Sequence, residues 1–372
     1  MAPYFLLLFI TALFSFVSMV SDNKRTVLYI GNDVTIKEHG LCIKAFFLLL
    51  FVLLACRDVS VGTDTKSYYY FFSECGKISF VEAFAYGNEG LFVFFNWIIS
   101  KITNQNYQIY LVIVSAITVF PMLKLYEEDQ SNGFLQIVLF VNMATFVMLF
   151  SGIRQGLAIS IGVFAFKYVR QRKMIKFMLC VLVACGFHAS AFIVLIMYPI
   201  YNANIRRRSI WLIIPVIASV FLFNESIFIV LFKVIELFFP KYADYDVTQT
   251  NAYATIILLA LFAVFAYVVP DEEKITPELL GMRNLLLVAL TLQCFAPVHI
   301  LAMRMNYYFI VFVPTFMGRI VSIPDARYRS VAWWVKVVLC VAFTVVFFLS
   351  VFRAASTHEM LRIVPYIPFW EG

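Results

Sequence analysis

Charge is what this chain has least of. Lys, Arg, Asp and Glu together make up 14% of its 372 residues, where a soluble globular domain carries roughly a quarter. No polar stretch is long enough to make a soluble domain of useful size, so the chemistry must happen in or beside a bilayer. Histidine occurs only four times, and no His-rich or Cys-x-x-Cys cluster has metal-site spacing. Of the cysteines Cys42, Cys56, Cys75, Cys180, Cys185, Cys294 and Cys340, only Cys75 falls in a long polar loop. The others lie in or beside apolar blocks, where a thiol acts as a small hydrophobe, and no disulfide framework is expected. Internal repeats are also missing, which weakens an inverted-repeat transporter reading. The excess of 29 Lys and Arg over 22 Asp and Glu does not signal nucleic acid, because the cations sit in short loops where they set membrane orientation.

What fills the sequence is apolar side chain: 63% of residues, with 41 Phe. These arrive in blocks bounded by short polar clusters, the pattern of membrane-spanning helices. Tyr4–Val20 reads as a retained first span, lacking the flanks of a cleaved signal peptide. Lys24, Arg25, Lys37 and Lys44 then mark a cytoplasmic loop. After Leu41–Cys56 the polar stretch from Arg57 reads as external, and Glu89–Ile102 as a helix lying in the interface. Tyr107–Leu123, Phe134–Phe150 and Gly156–Val169 read as crossings, the last landing on Arg170, Arg172, Lys173 and Lys176. Basic loops flank Phe177–Tyr201 on both sides, since Arg206, Arg207 and Arg208 follow it. One crossing cannot join two cytoplasmic loops, so a break is expected near Gly186-Phe187-His188, with His188 at the outward apex. Downstream, Ile210–Phe223, Asn251–Val269, Asn284–Leu301, Tyr307–Gly318 and Val337–Phe352 read as crossings. Ile227–Phe239 reads as interfacial and Lys241–Thr250 as an external loop. The expected architecture is an all-α polytopic transmembrane helix bundle of about twelve crossings, including the broken short pair, plus interfacial helices. Residues 1–372 form one integral membrane domain, and 57–106 its external loop with an interfacial helix.

This topology puts Arg57, Asp64, Glu89, Arg154, His188 and Arg304 at the outer ends of separate segments. An ionisable group at such a boundary usually faces a cavity or a partner. Arg57 and Arg304 have an equally good explanation as snorkelling side chains. Arg154, between Gly152 and Gly156, favours a ligand; Gln155 beside it caps the next helix on the plainer reading. His188 sits in Cys185-Gly186-Phe187-His188-Ala189-Ser190-Ala191, where small residues suit a turn with close approach. Asp64 in Val61-Gly62-Thr63-Asp64 fits an Asx turn, and Tyr68 with its neighbours offers a stacking surface that an aromatic belt also supplies. Guanidinium groups converging on one side suit a pyrophosphate.

Four short motifs taken in order resemble the EpsG family of polysaccharide polymerases, related in role to the Wzy O-antigen polymerases. They are Arg57-x4-Gly62-Thr63-Asp64 with Tyr68, Glu89-Gly90-Leu91-Phe92, Ile153-Arg154-Gln155-Gly156-Leu157-Ala158, and Phe187-His188-Ala189-Ser190-Ala191. The C-terminal third is matched by hydropathy and Arg304. The resemblance implies an exopolysaccharide or O-antigen enzyme of the bacterial inner membrane, multi-pass, acting at the periplasmic face without a cofactor. Its substrates would be undecaprenyl-diphosphate-linked oligosaccharides held in membrane lipid, its partners a flippase and a chain-length regulator, with no nucleic acid. A sugar hydroxyl of the incoming repeat unit would attack the anomeric carbon of the lipid-linked chain. On that reading Arg154 and Arg304 hold the diphosphate with help from Arg57, and His188 takes the acceptor proton or, alternatively, donates to the diphosphate. Asp64 and Glu89 bind sugar hydroxyls or orient an Arg, and either is an alternative base; a Mg²⁺ on Asp64 also stays open. A flippase, an outer-face ligase and an acyltransferase are the competing readings.

Overall fold

The computed structural model describes residues 1–21, 27–30, 33–36, 40–85, 89–128, 132–238, 252–357 and 360–372. The basic residues Lys24, Arg25 and Lys37 and the loop 241–250 lie outside the described residues. The described chain is helical apart from a short antiparallel hairpin, β1 (Val27–Ile30) with β2 (Asp33–Ile36), in what reads from sequence as a plain loop. It divides into two compact units, residues 1–195 with 333–372, and residues 196–332.

The first unit begins with α1 (Ala2–Ser21) and α2 (Leu41–Ala55), both almost wholly apolar. Three helices follow: α3 (Thr65–Cys75), α4 (Phe80–Ala85) and α5 (Gly90–Ile102). Then come α6 (Tyr107–Glu128), α7 (Gly133–Asn142), α8 (Ala144–Ser151), α9 (Ile153–Arg170) and α10 (Met174–Phe187). Helix α2 packs on α1 and α6, and α9 on α6 and α10. Edge-to-face contacts among Phe46, Phe47, Tyr126 and Phe140 fill the space between α2, α6 and α7, a geometry that adds to burial alone. The expected single crossing Phe134–Phe150 is two helices bent by 61°, because Met143 is extended (φ −88°, ψ 145°). The expected break at His188 is present: α10 stops at Phe187, His188 is extended, and a 3₁₀ turn starts at Ala189.

The second unit holds α11 (Met197–Tyr201), α12 (Ile210–Leu222), α13 (Asn224–Phe238), α14 (Tyr253–Val268), α15 (Pro277–Gln293), α16 (Ile300–Ile310) and α17 (Val313–Ile320). Helix α15 is its centre, touching α11, α12, α14, α16 and α17. The expected crossing Asn284–Leu301 is interrupted instead. Helix α15 ends at Gln293, and α16 starts only after the His299 side chain caps the Leu301 N–H. Arg283 is wholly buried but paired through both terminal nitrogens with Glu272, at 2.9 and 3.0 Å. The last helix, α18 (Arg329–Thr357), returns the chain to the first unit, where its Phe343 carbonyl accepts from Asn142.

Among the described residues, two helices, Tyr107–Glu128 and Ala326–Thr357, are long and apolar enough to cross a membrane, or up to five spans if each of three bent pairs counts as one, and six further apolar helices are shorter. The chain is a helical membrane protein, and its helices are more broken than the hydropathy blocks suggest. In the first unit, the Tyr4 hydroxyl donates to the Ile363 carbonyl, and Tyr366 to that of Leu53. The start of α1, the end of α2 and the C-terminal segment therefore share one side of that unit.

Gly62 shows why local sequence matters here. Its φ is +97°, and a Cβ would lie 2.3 Å from the Phe150 carbonyl oxygen, a clash with backbone in a conformation L-residues avoid. Gly62→Ala should cost about 2–4 kcal/mol, seen as a lower melting temperature of the detergent-purified protein.

Candidate functional site

The site forms where α5 begins, α10 ends and α9 begins. Gly186, in the last turn of α10, has no side chain, so Leu91 of α5 sits directly on it; a Cβ there would be 2.4 Å from Leu91 Cδ1 and 2.9 Å from its Cβ. This close approach brings His188 to Glu89, the residue before α5. Glu89 takes a left-handed conformation (φ 59°), which costs of order 1 kcal/mol outside glycine, and it is held by its side-chain bonds. Glu89 Oε1 lies 3.0 Å from His188 Nδ1 and accepts the Ala189 N–H at 3.1 Å. Glu89 Oε2 accepts from Arg154 Nη1 at 2.6 Å. One carboxylate thus joins three of the four sequence motifs. Gly186→Ala should push α5 from α10, costing about 1–3 kcal/mol and loosening the Glu89–His188 contact. Adding Leu91→Ala should restore both melting temperature and activity; no recovery in the double variant would show that the close approach is not what joins the two helices.

Burial drives the Glu89 carboxyl upward, but the hydrogen bond and charge of His188, the Ala189 N–H and Arg154 outweigh it and hold it at about 2. Glu89 is therefore ionised at neutral pH and can only accept hydrogen bonds. Facing an ionised carboxylate, His188 donates from Nδ1, and in the neutral ring that tautomer carries its lone pair on Nε2. Exposure grades across the cluster: 7% for the Glu89 side chain, 19% for His188 and 42% for Arg154. The buried acid is the anchor and the guanidinium the open end. Arg154 sits 5.9 Å from the Tyr68 ring centre and 5.8 Å from that of Phe92, aromatic faces that steady a cation while leaving N–H groups for an anion.

The other expected site residues fall around this cluster in different ways. Asp64 precedes α3, its N–H bonded to Ser151 Oγ at 3.1 Å, in the half-buried rim of the first unit. Tyr68 lies one turn along the same helix, so α3 links Asp64 to Arg154. Gln155 is buried beside Arg154. Arg57 departs from the expectation of a snorkelling side chain. It is only 2% exposed, donates to the Leu54 carbonyl at 2.6 Å, and lines a cavity of about 10 Å³ with Ser115, Thr118, Ile153 and Gly156. It stands behind the first turn of α9, sharing that cavity with Ile153 and Gly156. Arg304 belongs to the second unit, on α16, where it is exposed. Among the described residues, no three His, Cys, Asp or Glu side chains converge on a metal-sized position.

Sequence reasoning missed Ser151, whose hydroxyl seats Asp64, and the C-terminal segment, whose carbonyls at Leu361 and Arg362 accept from Thr63 and Gly62. Neither carries a motif; Ser151 had a signal only in adjoining Gly152-Ile153-Arg154.

No curated protein and no solved structure matches the chain. The model of the EpsG family, a family associated with Wzy-like polymerases, matches residues 41–367 and thus all four motifs. This chain belongs to the EpsG family.

Proposed function

We propose that the protein polymerises lipid-linked oligosaccharide repeat units, transferring the growing chain from undecaprenyl diphosphate to the non-reducing end of an incoming unit. The observation that carries this reading is the Glu89 carboxylate holding Arg154 and His188 together. As the acceptor hydroxyl oxygen bonds to the anomeric carbon, the bond from that carbon to the diphosphate oxygen breaks and negative charge grows on the leaving group. A fixed guanidinium stabilises the charge added as that bond breaks more than it stabilises the diphosphate diester, already anionic, of the ground state. His188 Nε2 takes the hydroxyl proton. Asp64 and Tyr68 line the path of the sugar, and Arg57 supports α9 from within. Gln155 and, on its own unit, Arg304 are further candidate phosphate ligands. Such an enzyme lies in the bacterial inner membrane with this site on the periplasmic side, and about twelve crossings would use most of the short helices.

The test is reconstitution of the protein in lipid nanodiscs with purified undecaprenyl-diphosphate-linked repeat units. Products of two or more units, with one undecaprenyl diphosphate released per linkage formed, support the polymerase. Transbilayer movement of the unit in vesicles without chain growth supports a flippase instead. Transfer only to an added acceptor of another kind supports a ligase.

A further inference from the structure

The segment 361–369 lies along the residues that lead into the Gly62-Thr63-Asp64 turn. Thr63 N–H donates to the Leu361 carbonyl at 2.9 Å and Gly62 N–H to that of Arg362 at 3.1 Å. Asp58 N–H donates to Ile367 at 2.9 Å, Phe369 N–H to Cys56 at 2.9 Å, and Arg57 pairs with Pro368 across this short ladder. Tyr366 and Tyr4 pin the segment through their hydroxyls, and its own Ile363 and Val364 are buried. Met360, Leu361 and Arg362 are all left-handed, at φ 53°, 52° and 56°. Three successive non-glycine residues hold such a conformation only where the surroundings over-determine it, and two of their carbonyls are the ones accepting from Thr63 and Gly62.

What the segment holds is the seat of α3. Gly62 rests on the Phe150 carbonyl, the Thr65 hydroxyl donates to Val61 and Phe150, and Tyr107 donates to the Thr65 carbonyl. One turn further on, Tyr68 faces Arg154. We propose that residues 361–369 are a positioning clamp for the site: the Leu361 and Arg362 carbonyls fix the Gly62–Asp64 turn, and through α3 they set Tyr68 and Asp64 against Arg154. The clamp's service to catalysis rests on reading the Arg154 cluster as the acting site.

The experiment uses the full chain in native membranes. Phe369→Cys should crosslink to native Cys56 on oxidation, because the two residues face each other across the ladder, and the bond should vanish with Cys56→Ser. In a Thr65→Cys background the buried thiol should resist a maleimide. Arg362→Pro, which cannot take a positive φ, should raise its labelling at least tenfold and cut chain extension at least tenfold, while Arg362→Gly keeps the thiol protected. Removal of residues 360–372 should act like Arg362→Pro; should that variant fail to accumulate, the point variant decides. No crosslink, or a protected thiol in Arg362→Pro, would overturn the clamp. A labelled thiol with undiminished chain extension would overturn its link to the site. If the parent protein extends no chains at all, the polymerase reading fails, while the crosslink and labelling still decide the clamp.

Discussion

Arg154→Ala should leave the protein in the membrane at its normal level and lower chain extension by about 10²–10³-fold, the usual cost of removing one group that stabilises transition-state charge. Cells carrying it should display single repeat units where the parent displays long glycan. The effect on stability should be small for a structural reason. Glu89, left without the guanidinium, still accepts from His188 and from the Ala189 N–H, so no buried carboxylate is stranded. Arg154 itself is the most exposed of the three side chains. A loss of activity without a loss of protein is therefore the signature of a charge that acts on substrate. Arg154→Lys should recover only part of the rate, because an ammonium keeps the charge but not the planar fork that meets two phosphate oxygens while resting on Tyr68 and Phe92. Long glycan chains persisting in Arg154→Ala would remove this residue from the reacting groups.

The sequence made the polar heart of the site legible and most of its frame illegible. Glu89, Arg154 and His188 stood out because each falls at the outer end of an apolar segment, and a charged group in such a place usually has a partner. That the partner of two of them is a third could not be read from spacing, since Glu89 and His188 are 99 residues apart. The break at His188 was foreshadowed by charge on both flanks. The break at Met143 was not, because Val141-Asn142-Met143-Ala144 contains neither Gly nor Pro and hydropathy runs unbroken across it. The interruption between α15 and α16 had a signal in Pro297, which cannot sit in a helix interior without removing a hydrogen bond, but the continuous apolar run masked it. Arg57 was misleading for a different reason. At the end of an apolar helix it reads as a side chain reaching for water, whereas a segment more than 300 residues later covers it and leaves it within the unit.

Glu89 should prove as costly to remove as either residue it holds. With Glu89→Ala, His188 loses the acceptor that fixes its proton on Nδ1, and Arg154 loses its anchor, so chain extension should fall by about 10²–10⁴-fold, the range for a displaced general base. Glu89→Gln should fare little better. Its oxygen can still accept from His188 and Ala189, but its amide then turns N–H groups toward the N–H groups of Arg154. The double variant Glu89→Ala/His188→Ala should be no slower than the worse single variant, because residues acting as one unit are not additive. Multiplying effects would mean that the carboxylate and the imidazole work independently. The pH dependence adds a second check. The Glu89 carboxyl is held at about 2, below its ordinary value near 4.3. Its contribution to stability is thus fully present above that ordinary value and is lost only as pH falls through about 2. Between pH 8 and 5 Glu89 keeps one charge state, so any change in rate across that window owes nothing to Glu89 protonation. A stability curve for Glu89→Gln that parallels the parent down to pH 5 and converges with it only near pH 2 would confirm the assignment; a difference between the two that stays constant from pH 7 to pH 2 would show the carboxylate unpaired and the cluster open.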